Sequence, residues 1–255
     1  KSKKYAEIVL VGPNAIKNVK GFQKIISEEP EKELAKTLFN EEVEGIVRGT
    51  IDDFKTFEAY SALIGDKKSK EILGLALMED FYGRQFFISN GSNPHGWTNE
   101  EKIRDCEGVI EFMKTELGIK PKIGFITGVR HETYARKKGI KEGVQGILNQ
   151  TYEDAEFIVD YFAKKGIDAR NYAIEIETAL KDGCNIIVPP NGMVGNQIFR
   201  TLVLVGGGKM LTGSRANLPH PYEDNSRSET DFETHVQWLV AWINGRKFMK
   251  QKLKI

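Results

Sequence analysis

Short apolar runs ending in Gly, Pro or Asn recur along this chain, and most lead into a stretch of helical period. That alternation is the strongest constraint on the fold. Strands that alternate with helices need a mostly parallel sheet covered on both faces, so the class is α/β with three αβα layers. Residues 5–12 read as a buried strand that turns at Gly12 and Pro13. Residues 31–40 read as a helix, 44–50 as a second strand and 54–63 as the next helix. Residues 73–79 and 85–89 read as strands around the turn Phe81-Tyr82-Gly83-Arg84, a hairpin that would form an antiparallel β-arm within the pattern.

The second half continues in the same way. Thr98 with Glu101 makes a capping box, in which the hydroxyl meets a free amide and the carboxylate reaches back, opening a helix to Leu117 that stops at Gly118. Residues 122–127 form the next strand. Thr151 with Asp154 opens a helix that reaches Lys165 and stops at Gly166. Residues 171–176 and 185–188 read as strands, 196–204 as helix or strand, 217–230 as a polar loop and 232–243 as a final amphipathic helix.

Composition excludes several classes. With 255 residues, 40% of them hydrophobic, the chain can build one large core or two modest lobes. Lys and Arg number 37 against 36 Asp and Glu, a balance without the basic stripe of a nucleic-acid binder. The basic tail of Arg246, Lys247, Lys250, Lys252 and Lys254 reads as a solvated helix end. No apolar run approaches bilayer length, and Cys106 and Cys184 stand apart rather than as a C-x-x-C pair. The expectation is a cytoplasmic protein with no membrane and no nucleic-acid partner. His95, His131, His220 and His235 share no metal-ligand spacing, so no metal is expected. Gly206-Gly207-Gly208-Lys209 lacks phosphate-loop spacing and reads as a turn.

Three loops could carry chemistry. Asn90-Gly91-Ser92-Asn93-Pro94 precedes the capped helix, where amide donors and the helix dipole suit an anion. Pro190-Asn191-Gly192-Met193-Val194-Gly195-Asn196 follows a strand, and in open α/β sheets ligands bind beyond the carboxyl ends of strands. Asn225-Ser226-Arg227-Ser228 offers a guanidinium for bidentate anion binding and a hydroxyl donor, with Asp231 and Glu233 close behind.

The order of these loops resembles the phosphate acetyltransferase and butyryltransferase family across residues 43–243. Gly45-Ile46-Val47-Arg48-Gly49-Thr50 stands where the family has Gly-x-Val-Ser-Gly-Ala. Asn90-Gly91-Ser92-Asn93-Pro94 is similar to a family Asp-Gly-Ala-Val-Asn-x-x-Pro segment. Pro121-Lys122-Ile123-Gly124-Phe125-Ile126-Thr127 resembles Pro-Lys-Val-Ala-Leu-Leu-Ser, and residues 190–196 resemble Pro-Asp-x-x-x-Gly-Asn. Ser226-Arg227 resembles the late Ser-Arg pair. More closely, the chain is similar to a methanogen group of shortened relatives that carries a methyltransferase-subunit label.

The resemblance implies two α/β lobes, residues 1–75 with 190–255 and residues 76–189, with a cleft between them and a homodimer. It implies a small-molecule anion as ligand, with acyl phosphate and coenzyme A as substrates. Ser226 and Arg227 would bind the phosphate. Glu233, or Asp231, would act as base toward a thiol. Thr127, Asn191, Gly195, Asn196, Asn90, Asn93 and Arg48 would line the phosphate site. The departures are Asn90 and Asn191 in place of Asp and Arg48 in place of Ser. They keep a second reading open, an accessory methyltransferase subunit whose partner is a methyltransferase or corrinoid protein.

Overall fold

The computed structural model describes residues 1–65, 73–89, 95–225 and 231–253. The chain divides into two compact units. Unit 1 holds Lys1–Gly74, Thr115–Leu117 and Leu211–Ile255; unit 2 holds Leu75–Lys114 and Gly118–Met210. The chain thus returns to unit 1 after residue 210, where the resemblance placed the boundary at 190.

Unit 1 contains two small sheets. Strands β1 (Val9–Gly12) and β2 (Gln23–Ile26) pair in parallel. The other sheet has the order β3-β12-β11-β4, from β3 (Ile46–Val47), β12 (Tyr222–Glu223), β11 (Arg215–Ala216) and β4 (Leu73–Gly74). Residues 215–216 and 222–223 therefore contribute strands, and the stretch 217–230 expected as a loop contains β12. Helices α1 (Pro30–Phe39) and α2 (Asp53–Ile64) bury Leu34, Leu38 and Tyr60 in a core with Ile46, Leu218 and Tyr222. Asp52 caps α2 by accepting from the Lys55 amide at 3.0 Å.

The last helix, here α8, runs Phe232–Leu253, one continuous element well past residue 243. Its Trp242 Nε1 donates to Glu116 at 3.0 Å, and Gly245 permits close approach: a Cβ there would lie 2.6 Å from the Glu116 carbonyl oxygen.

Unit 2 is built on a six-stranded sheet in the order β10-β5-β6-β9-β7-β8. Its strands are β5 (Ala76–Glu79), β6 (Gln85–Ile88), β7 (Lys122–Phe125), β8 (Asp168–Asn171), β9 (Ile186–Val188) and β10 (Lys209–Thr212), the last two residues of β10 being counted with unit 1. Four of them, β6, β9, β7 and β8, run parallel; β5 pairs antiparallel with β6. The expected hairpin is thus hydrogen-bonded into the sheet through β6, and β8 is an edge strand.

The helices of unit 2 are α3 (Asn99–Phe112), α4 (His131–Lys137), α5 (Gly143–Lys164), α6 (Ile176–Lys181) and α7 (Gly192–Leu204). The capping box of Thr98 and Glu101 is present, and α3 continues as a π-helical turn, Met113–Leu117, that ends at left-handed Gly118. Helix α5 starts at Gly143 rather than Thr151. Ile176 opens α6 instead of closing a strand. Residues 196–204 lie in a helix. The core packs Met78, Phe86, Ile88, Tyr172 and Ile187 against Ile198, Phe199 and Leu202 of α7.

Candidate functional site

Parallel pairing of β3 with β12 brings residues far apart in sequence together in unit 1. Arg48 leaves the end of β3 and Asp224 leaves the end of β12. The Arg48 Nε donates to Asp224 Oδ1 at 2.5 Å, Nη1 to the Ile51 carbonyl at 2.6 Å, and Nη2 to the Asn225 carbonyl. The Arg48 side chain is 2% exposed. Four of its five N–H donors are engaged, counting the longer contact of Nη1 to the Gly49 carbonyl. Arg48 is therefore a brace for the chain that leads into Ser226 and Arg227.

Asp224 is shared. Its Oδ2 accepts from Arg215 Nη2 at 2.8 Å and Nε at 3.2 Å, while the Asn225 amide donates to Oδ1 at 3.0 Å. Arg215 also stacks on Phe57 of α2, 4.2 Å from the ring centre.

On the opposite face of β12, Glu223 is fully buried. It accepts from Thr212, Ser214, the Gly213 amide at 3.2 Å and His235 Nδ1 at 2.6 Å. Burial pushes its carboxyl pKa upward, and the donors from His235, Ser214 and Thr212 pull against that. Trp238 Nε1 completes the network by donating to Ser214 at 2.8 Å.

The two acids expected as base differ in their surroundings. Asp231 accepts from the Thr234 hydroxyl at 2.6 Å and its amide at 3.2 Å, holding its carboxyl below the usual range. It serves the first turn of α8. Glu233 is ion-paired with Lys4 at 3.2 Å and keeps 23% of its side chain exposed.

In unit 2, Thr127 and Asn191 lie just beyond the carboxyl ends of parallel strands. Thr127 follows β7; its amide donates to the Ala173 carbonyl at 2.7 Å and its hydroxyl to the Val129 carbonyl at 3.0 Å. Ala173 sits at φ 53, a strained left-handed turn at the same edge. Asn191 follows β9 and caps α7, accepting from the Val194 amide at 3.0 Å. The Gly192 amide donates to the His95 carbonyl at 2.8 Å, so two amides of the first turn of α7 have protein acceptors. Gly195 is buried and Asn196 half-buried on that helix. Ser89 follows β6 and is buried against Cys106, whose thiol is pushed up to about 12 by desolvation and stays protonated.

Ser226, Arg227, Asn90 and Asn93 lie outside the described residues. Sequence reasoning missed Arg215, Glu223 and Asp224. The available signal was the Glu223-Asp224 pair directly before Asn225-Ser226-Arg227. Among the described residues no helix is long and apolar enough to cross a membrane, and no group of three His, Cys, Asp or Glu is placed to hold a metal.

This architecture has close counterparts among solved structures. A branched-chain phosphotransacylase from Enterococcus faecalis superposes with a TM-score of 0.61 at 15% identity, covering 89% of this chain and 84% of that one. A phosphotransacetylase from Streptococcus pyogenes gives 0.57 at 15% identity, covering 86% and 68%. The fold is that of the phosphotransacylases. No protein-family model matches the chain. A protein of Methanosarcina barkeri, provisionally named methyltransferase mtx subunit X, is 32% identical over 251 residues, 98% of this chain and 88% of its own length. A Methanosarcina mazei protein of the same name is 32% identical over 249 residues, 97% and 84%. The chain belongs to this methyltransferase mtx subunit X family.

Proposed function

We propose that the protein is a transferase-like enzyme that binds a phosphate or acyl-phosphate small molecule through Ser226 and Arg227, acting in the cytoplasm as a homodimer. The observation that carries this reading is the Arg48–Asp224 brace. A buried ion pair and the bond from Arg48 to the Asn225 carbonyl fix the backbone immediately before the Ser-Arg pair. Pre-set donors stabilise developing charge better than donors that must reorganise.

In the reaction class proposed, a thiol such as that of coenzyme A attacks the acyl carbonyl carbon. The C–S bond forms, the bond from carbon to phosphate oxygen breaks, and phosphate departs. Arg227 meets the charge that develops on phosphate, and Ser226 donates to one of its oxygens. Glu233 takes the thiol proton, a role for which its partial exposure suits it better than the cap-bound Asp231. Arg48, Asn90, Asn93, Thr127, Asn191, Gly195 and Asn196 are the further phosphate-site residues of this reading.

The family name supplies a second reading, a subunit that serves a methyltransferase or corrinoid protein as a binding module. A thermal-shift screen separates the two. Under the first reading, phosphate, acetyl phosphate or coenzyme A raises the melting temperature, and Arg227→Ala abolishes the phosphate response. A response to S-adenosylmethionine or a cobalamin alone, or wild-type phosphate binding by Arg227→Ala, would sink it.

A further inference from the structure

Arg215 and Tyr222 are direct partners in the antiparallel β11–β12 pair, so their side chains share one face of that sheet. Both also meet Phe57: Arg215 lies over its ring, and Tyr222 packs against it edge-on with centroids 6.4 Å apart. The Arg215 guanidinium is held on one edge by Asp224 through Nε and Nη2, and Asp224 is itself clamped by Arg48. The outer arm, Nη1, has no acceptor among the described residues, and 24% of the side chain is exposed.

Two neighbours add donors. The Tyr222 hydroxyl is buried with no hydrogen-bond partner among the described residues. Burial holds its proton on, so it is a donor at neutral pH. The Asn225 side chain is buried with neither its amide nitrogen nor its oxygen bonded. Folded proteins leave few such groups, and each one calls for an explanation. Here Tyr222 precedes and Asn225 follows the Glu223-Asp224 pair, beside a guanidinium fixed in place with an arm to offer.

We infer that Arg215 and Tyr222 hold an oxyanion group of the ligand, a phosphate or a carboxylate, with the Asn225 amide nitrogen as a further donor. The inference deepens the anion-binding reading above and rests on it; it adds donors outside the Ser226-Arg227 pair. Arg215 binds with its outer fork edge while Asp224 fixes the inner one.

Calorimetric titration of the full chain with inorganic phosphate, and separately with acetate, tests this in the wild type, Arg215→Lys and Tyr222→Phe. Lysine can keep the charge opposite Asp224 but has no fork. The phenylalanine variant removes a hydroxyl that bonds nothing described in the protein, so its melting temperature without ligand stays at or above that of the wild type. Each variant is expected to weaken oxyanion binding about tenfold or more, the worth of a hydrogen bond to a charged group. The anion that loses affinity, phosphate or acetate, identifies the group held. Wild-type affinity in either variant overturns the inference. Loss of phosphate binding in Arg227→Ala with full binding in Arg215→Lys would overturn it while leaving the proposed function standing. No binding of either anion by the wild type would remove both.

Discussion

Arg48 shows how much of a residue's bonding is settled by the fold itself. The resemblance placed it on the ligand, in the position of a small serine. In the fold its guanidinium is buried and turned inward onto Asp224 and three carbonyls. Removing one partner of a buried ion pair leaves the other uncompensated, so Arg48→Ala should lower stability by about 3–5 kcal/mol. The exposed pair of Arg130 with Glu175 is the control, and Arg130→Ala should cost less than about 1 kcal/mol. Urea unfolding of both variants checks this; equal, small losses would mean that Arg48 braces nothing. The contact itself was beyond the reach of sequence reading. Arg48 and Asp224 are 176 residues apart and meet only because β3 pairs in parallel with β12.

Among the elements, those with local signals were legible. The Thr98–Glu101 box and the turn between β5 and β6 are each set by residues a few positions apart. That turn is held by Asp80, whose Oδ1 accepts from the amides of Tyr82 at 2.8 Å and Arg84 at 3.0 Å, and whose Oδ2 accepts from Arg84 Nε at 2.6 Å. Burial alone would raise the Asp80 pKa, but these donors outweigh it and the value lies below 3.8. A depressed carboxyl stabilises the fold above its unfolded pKa and loses that contribution as pH falls through the folded one. Asp80→Asn should therefore cost about 1 kcal/mol at neutral pH. The cost should shrink as pH drops below 3.8, and a difference from wild type that is constant across that range would count against it.

Elements fixed by distant contacts were misread. Helix α5 begins at Gly143 because Asn149, fully buried, donates to the carbonyls of Lys137 and Ile140 and so seats the end of α4. Thr151, read as a cap, instead binds the Gly128 amide and the Leu148 carbonyl from within the helix. The apolar run at Tyr172 and Ala173 was read as strand, yet those residues form the buried turn after β8.

At the scale of the molecule, the chain passes between its two units at residues 74–75, 114–115, 117–118 and 210–211. Neither unit is a single stretch of sequence, so neither can form fully without distant segments of the chain. A single cooperative transition is the expected outcome. Trp238 and Trp242 lie in unit 1 and Trp97, 53% exposed, in unit 2, so tryptophan fluorescence reports chiefly on unit 1. Far-UV circular dichroism reports on all helices. The two curves in urea should coincide, and an earlier or later fluorescence midpoint would show the units unfolding separately. The α/β class was legible at this scale from strand–helix alternation, whereas the return to unit 1 after α7 was not. Helix α7 packs its Ile198, Phe199 and Leu202 on the core of unit 2, a preference that nothing local to residues 190–204 encodes.

One edge of the six-stranded sheet also has a bearing on life in a crowded solution. Bare main-chain groups along a border strand invite a neighbouring molecule to add its own strand, the first step toward fibrous aggregates. On β8 that border carries Asp168 and Arg170 outward, alternating with the half-buried Ala169 and Asn171 and 3.4 Å from each other at their charged ends. Such side chains act as gatekeepers, keeping the sheet from polymerising at high concentration. The same charges dilute the apolar signal that would have marked residues 168–171 as a strand.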